Sequence, residues 1–95
     1  MNILAIDTLT STLSVAAYGP NGLVTQSFTG NGTSHAERLL PLIDAAVSVA
    51  GFTAATTETV LAPEGPGSFT GLRLGFAAAK ALQLSSNSCF IPIPT

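Results

Sequence analysis

Two stretches carry the residue types that could do chemistry. The first is Asp7-Thr8, with Thr10 and Ser11 close behind. A carboxylate at the end of an apolar run, followed by hydroxyls, can tie down its own turn through side-chain-to-backbone bonds. The second is Gly65-Pro66-Gly67-Ser68-Phe69-Thr70-Gly71-Leu72-Arg73-Leu74-Gly75. Glycines permit positive φ and close backbone approach. Ser68 or Thr70 can cap a following helix, and free N–H groups at a helix start can hold an anion. The weak nucleotide- or anion-binding set is Asp7, Thr8, Thr10, Gly67 and Ser68. Against it stands a purely structural reading, a tight loop that re-aims the chain into a packed helix. The run is not a Walker A loop, because no Lys follows the last Gly at the required place. Nor does it match a dinucleotide fingerprint.

Other chemistries find less support. His35 is the single histidine, and a zinc site needs several ligands. A Ser68–His35 hydrolase lacks an orienting acid in register. No catalytic and no metal-binding residue is therefore expected, and no cofactor. Cys89 stands alone, so an internal disulfide is excluded, which fits a reducing compartment. Its apolar strand context suggests a buried cysteine acting as a small hydrophobe.

Positioning these residues takes a set of short elements. Ile3 to Ile6 reads as a buried strand ending at Asp7. Leu13 to Tyr18 and Leu23 to Phe28 are two more strands around Gly19-Pro20-Asn21-Gly22, a turn sequence, so the three form an antiparallel meander. Ser34-His35-Ala36-Glu37 matches a capping box for a helix from about His35 to Ala50, stopped by Gly51. Leu39, Ile43, Ala46 and Ala50 form its apolar stripe, widened by Leu40 and Val47, with Glu37, Asp44 and Ser48 opposite. Pro41 removes a donor and predicts a kink. Thr59 to Ala62 is a fourth strand and Pro63 to Gly71 a loop. A second helix follows from about Phe69 to Leu84, then a fifth strand from Phe90 to Ile93. The order β-β-β-α-β-α-β makes an α/β fold. It has a mixed five-stranded sheet and two helices, with the topology of the ribonuclease-H-like half of actin-like folds.

Bulk composition constrains the rest. The 95 residues suit one small domain with a limited core. Hydrophobic residues make up 46% and charged residues 8%, against roughly 25% charged in an average soluble domain. That leaves little polar surface, so a covering partner, a missing part of the protein, or both are expected. The basic residues are Arg38, Arg73 and Lys80, too few for a nucleic-acid backbone, which needs clustered cations. The start, Met1 to Asp7, has no basic leader and no stretch reaches membrane-span length, so a cytoplasmic protein without membrane attachment is expected.

Three motifs in order give a resemblance: Ile3-Leu4-Ala5-Ile6-Asp7-Thr8, Ser34-His35-Ala36-Glu37-Arg38-Leu39-Leu40-Pro41, and Gly65-Pro66-Gly67-Ser68-Phe69-Thr70-Gly71-Leu72-Arg73. Together with the closing Ile91-Pro92-Ile93-Pro94-Thr95 they resemble the TsaB (YeaZ) family. Leu9 interrupts the family's usual Asp-Thr-Ser-Thr run. The resemblance implies the N-terminal lobe of an actin-like ATPase fold over residues 1–95, with the family's second lobe absent. It also implies a non-catalytic scaffold for threonylcarbamoylation of adenosine in tRNA. The partners it implies are a TsaD-type catalytic subunit and a TsaE-type ATPase. Older descriptions place such sequences among glycoproteases, a label the missing ligands do not favour. The alternative is an actin-like lobe that binds or hydrolyses ATP with magnesium.

The second helix carries small and apolar residues on most of its circumference and must be covered on more than one side. Segments 35–50 and 69–84 are therefore expected to form a helix-on-helix interface, in a homodimer or with the catalytic subunit. The contact residues expected are Leu39, Ile43, Ala46, Gly71, Gly75, Ala78, Ala79 and Leu82.

Overall fold

The computed structural model describes residues 1–7, 12–29, 32–65, 80 and 88–94. Strands β1 (Ile3–Asp7), β2 (Thr12–Gly19) and β3 (Gly22–Thr29) come first. Helix α1 (Gly32–Ala50) and a short 3-10 turn (Ala54–Thr56) follow. Strands β4 (Thr59–Gly65) and β5 (Cys89–Pro94) complete the described elements. The five strands form one sheet in the order β3-β2-β1-β4-β5.

The first three strands pair antiparallel, Leu4 with Ala17 and Val15 with Gln26. β1 pairs parallel with β4, and β4 parallel with β5. Parallel neighbours cannot be joined by a hairpin and need a crossover. Helix α1 is that crossover between β3 and β4. The meander and mixed sheet are as the sequence predicts, with each strand one to three residues longer. Of the second expected helix, only Lys80 falls among the described residues, where it is helical and exposed.

Alternation decides which residues build the core, because successive strand side chains point to opposite faces. Leu4 and Ile6, Leu13, Val15 and Ala17, and Val60 and Ala62 all lie on one face and are buried. Val24, Phe28 and Phe90 extend that face and are half-buried. Leu39, Ile43, Ala46, Val47 and Ala50 descend onto it from α1, and Phe52 closes one end. The helix lies over β2 and β3.

Here three expectations are corrected. Leu39, Ile43 and Ala46 are at most 2% exposed, so they belong to the chain's own core and cannot form an intermolecular contact. The sheet takes the full width of their stripe. Leu40, expected beside them, is 60% exposed, because the buried arc is centred on Leu39, Ile43 and Ala50 and Leu40 falls past its border. Cys89 is exposed rather than buried, since its alternation places it on the opposite sheet face, which α1 does not cover. The helix also starts two residues before Ser34, at Gly32. The first-turn N–H groups need no intrahelical acceptor, so such an extension costs few bonds.

The C-terminus of α1 stops where glycine predicts. Gly51 has φ +99°, a left-handed conformation that favours glycine. The Phe52 N–H donates to the Val47 carbonyl at 2.9 Å and the Gly51 N–H to the Ser48 carbonyl at 3.2 Å. These are the two bonds of a Schellman stop. The β2–β3 turn supplies the rest: the Asn21 N–H donates to the Ala50 carbonyl at 2.9 Å and its Nδ2 to the Val49 carbonyl at 3.2 Å. The approach is close. A Cβ on Gly19 would lie 2.5 Å from Phe52 Cδ1 and 2.8 Å from the Ala50 carbonyl oxygen.

Candidate functional site

Asp7 ends β1 and Gly65 ends β4, and these two strands are adjacent and parallel. The acidic motif and the Gly-rich segment therefore leave the sheet at the same edge, the carboxyl ends of the parallel strands. Open α/β sheets bind ligands outside that edge. A groove of about 220 Å³ opens there, lined by Ala5, Ile6, Asp7, Leu61, Ala62, Pro63 and Ile93. The lining follows from alternation: Ala5, Asp7, Leu61, Pro63 and Ile93 all point to the sheet face opposite α1.

The groove's chemistry is that of an apolar cleft with one carboxylate at its rim. Asp7 is exposed and engaged in an interaction of its own. Its backbone pairs with Ser14 of β2. Among the described residues no cation faces the groove, so the lining attracts an apolar group rather than a bare phosphate. One carboxylate supplies one metal ligand, and among the described residues no group of three or more His, Cys, Asp or Glu side chains gathers. Thr8, Thr10, Gly67 and Ser68, the other members of the expected anion set, lie outside the described residues. So do Gly71, Gly75, Ala78, Ala79 and Leu82 of the expected interface.

The base of the same strands is fixed by polar bonds. The Asn2 N–H donates to Glu58 Oε1 at 3.1 Å, and Asn2 Nδ2 to the Thr56 carbonyl at 2.9 Å. The Glu58 N–H donates back to the Asn2 carbonyl at 2.9 Å, and the Cys89 N–H to the Glu58 carbonyl at 2.8 Å. This holds β1, β4 and β5 in register at the end away from the groove. Sequence reasoning passed over Asn2 and Glu58, because the partners are 54 and 56 residues apart and neither sits in a motif.

Sequence reasoning also passed over Arg38 as a packing residue. Its guanidinium lies 5.0 Å from the centroid of the Phe28 ring, within the range of a cation–π contact. That contact places the Arg38 side of α1 over β3.

Comparison with known proteins agrees with this geometry. The tRNA threonylcarbamoyladenosine biosynthesis protein TsaB of Escherichia coli is 35% identical over 95 residues, all of this chain and 41% of that protein. The TsaB of Bacillus subtilis is 31% identical over 85 residues, 90% of this chain and 37% of that protein. The solved structure of YeaZ from Pseudomonas aeruginosa superposes with a TM-score of 0.85 at 26% identity, over 98% of this chain and 42% of that one. The family model described as "TsaD: tRNA N6-adenosine threonylcarbamoyltransferase" matches residues 8–95. The chain belongs to the TsaB (YeaZ) family, within the group that model describes. It spans about two fifths of the length of these TsaB and YeaZ relatives. The TsaB match includes both the Asp7 segment and the Gly-rich segment, the two motifs that meet at the carboxyl edge of the sheet. No helix among the described residues is long and apolar enough to cross a membrane.

Proposed function

We propose that the chain is a non-catalytic platform in tRNA threonylcarbamoyladenosine biosynthesis, and that it works by pairing with a TsaD-type catalytic subunit. The observation that carries this reading is the makeup of the candidate site. Its described lining is six apolar residues and one carboxylate, which offers a surface to pack against and little to catalyse with. The TsaB relatives carry the pathway in their names. With eight charged residues in the whole chain, the polar surface is small and a covering partner is favoured. Three basic residues cannot anchor a tRNA backbone, so another subunit holds the RNA. A TsaE-type ATPase supplies nucleotide hydrolysis in this scheme, and the setting is the cytoplasm.

With Leu39, Ile43 and Ala46 inside the core, the pairing surface on α1 reduces to its outward residues. These are Leu40, Pro41, Asp44 and Ser48, all exposed. Affinity capture of the tagged chain followed by mass spectrometry tests the pairing. Recovery of a TsaD-type subunit is expected. Its absence, with the chain folded, contradicts the reading.

A second reading has one observation in its favour. Asp7 stands at the carboxyl end of β1 beside the exit of the Gly-rich segment, where an actin-like lobe would meet nucleotide and magnesium. Calorimetry with ATP and magnesium separates the two. Heat of binding that disappears in Asp7→Ala favours the nucleotide-binding lobe, and no heat favours the platform.

A further inference from the structure

The turn that holds the end of α1 contains a chemically reactive pair, Asn21-Gly22. An asparagine carboxamide is open to attack by the backbone nitrogen of the next residue, and glycine has no side chain to hinder the approach. The surroundings leave that approach clear. Asn21 is exposed, and a Cβ placed on Gly22 would meet nothing within 4 Å. Gly22 stands at φ +103°, a conformation that favours glycine at this position. The same pair recurs as Asn31-Gly32, but Asn31 lies outside the described residues.

Asn21 differs from an ordinary surface asparagine in what its amide holds. Nδ2 donates to the Val49 carbonyl at 3.2 Å, beside the bond from its own N–H to the Ala50 carbonyl at 2.9 Å. The carboxamide also packs on Gly51, where an added Cβ would come 3.0 Å from Nδ2 and 3.1 Å from Cγ. Both acceptors are carbonyls at the C-terminus of α1, the negative end of the helix dipole. The last turn of α1 has no basic residue, and the last charged residue of the helix is Asp44. Residues 8–36, which include the turn, hold no Asp, Glu, Lys or Arg. Neither element therefore supplies a cation to neutralise a negative charge placed here.

We infer that Asn21 is a site of spontaneous deamidation, and that its conversion releases the turn from α1 irreversibly. The Gly22 nitrogen attacks Asn21 Cγ, and the amide nitrogen leaves as ammonia, taking the Gly22 N–H proton. A cyclic imide remains. Water then opens the imide at one of its two carbonyls. Breaking the bond from nitrogen to Cγ gives aspartate in a normal backbone. Breaking the bond from nitrogen to the Asn21 backbone carbonyl carbon gives isoaspartate, with the chain running through Cβ. The net change is amide plus water to carboxylate plus ammonium, with no electron transfer. Ring closure requires the carboxamide to leave Val49, so the bond that holds the turn also slows the reaction. After conversion the Nδ2 donor is gone, and a carboxylate stands beside the Val49 and Ala50 carbonyls. Isoaspartate also adds a carbon to the backbone of the turn and displaces the pairing of Gly19 with Gly22. At neutral pH neither product restores the bond to Val49. None of this depends on the platform reading or on any partner.

Peptide mapping by mass spectrometry tests the site, on the full chain held for weeks in warm, mildly alkaline buffer. One sample stays folded and one is unfolded in guanidinium, with circular dichroism to confirm each state. Conversion at Asn21 is expected in both, slower in the folded sample, with isoaspartate the larger product. A folded chain that keeps Asn21 intact throughout overturns the inference. A folded chain that converts as fast as the unfolded one overturns the slowing assigned to the Val49 bond. The variant Asn21→Asp reads the consequence. It is expected to weaken the folding equilibrium about tenfold, and more than Asn21→Ala, which loses the same bond without gaining a charge. An Asn21→Asp chain as stable as the parent overturns the release of α1, and one no weaker than Asn21→Ala overturns the part assigned to the carboxylate.

Discussion

The two faces of the sheet differ sharply. The face under α1 is closed: Leu4, Leu13, Val15, Ala17 and Val60 are at most 1% exposed. On the opposite face, Tyr18, Leu23, Ile91 and Ile93 are 41–68% exposed. The same alternating strands supply both sets, so hydropathy alone does not separate them. What separates them is the crossover. Among the described residues, a helix of 19 residues lies over β2 and β3 on one side of the sheet, and the other side keeps these apolar residues exposed. Among the described residues the closed face is the fold, and the open face and edges are where function is to be sought.

Substitutions should respect that division. The largest effect is expected for Ile43→Ala or Leu13→Ala on the closed face. Each empties a fully buried site and should cost about 2–5 kcal/mol in urea unfolding. A loss below 1 kcal/mol would mean that α1 does not seal this face. Gly19→Val comes next, since any side chain there meets Phe52 and the Ala50 carbonyl. Thermal unfolding should report a loss of roughly 1–3 kcal/mol. Asn21→Ala removes the side-chain bond from the turn to the Val49 carbonyl, leaves the backbone bond to Ala50 in place, and should cost on the order of 1 kcal/mol. Leu23→Ser, on the open face, is expected to stay within about 0.5 kcal/mol of the parent. If Leu23→Ser proves as costly as Ile43→Ala, the contrast between the faces collapses.

Much of this fold was readable from residues alone. The meander followed from three apolar runs around Gly19-Pro20-Asn21-Gly22, and the end of α1 followed from Gly51. Both are local signals, in which a conformational demand selects a residue type. The side of α1 that meets the sheet was harder to read. Leu40 and Leu39 are chemically identical neighbours, and only the position of the sheet buries one and exposes the other. Cys89 was misread for the same reason, because a short edge strand with apolar residues on both faces gives no sign of which one is covered. The bonds from Asn21 to α1 and from Asn2 to Glu58 join segments far apart in sequence and follow from topology.

The candidate site was legible in part. The Asp7 motif and the Gly-rich motif were visible as motifs, but their meeting at one sheet edge required β1 and β4 to be parallel neighbours. Pro63, Leu61 and Ile93 could not be picked out as groove residues beforehand, because their side of the strand depends on register. For the interface, the small residues of segment 69–84 remain candidates, and the stripe on α1 moves from its buried to its exposed side.

The platform account is tested most directly by measuring threonylcarbamoyl transfer to tRNA with this chain alone, with a TsaD-type subunit alone, and with both together. The account predicts no transfer by the chain alone and faster transfer by the pair than by the catalytic subunit. Transfer by the chain alone, or a pair no faster than the catalytic subunit by itself, would contradict it.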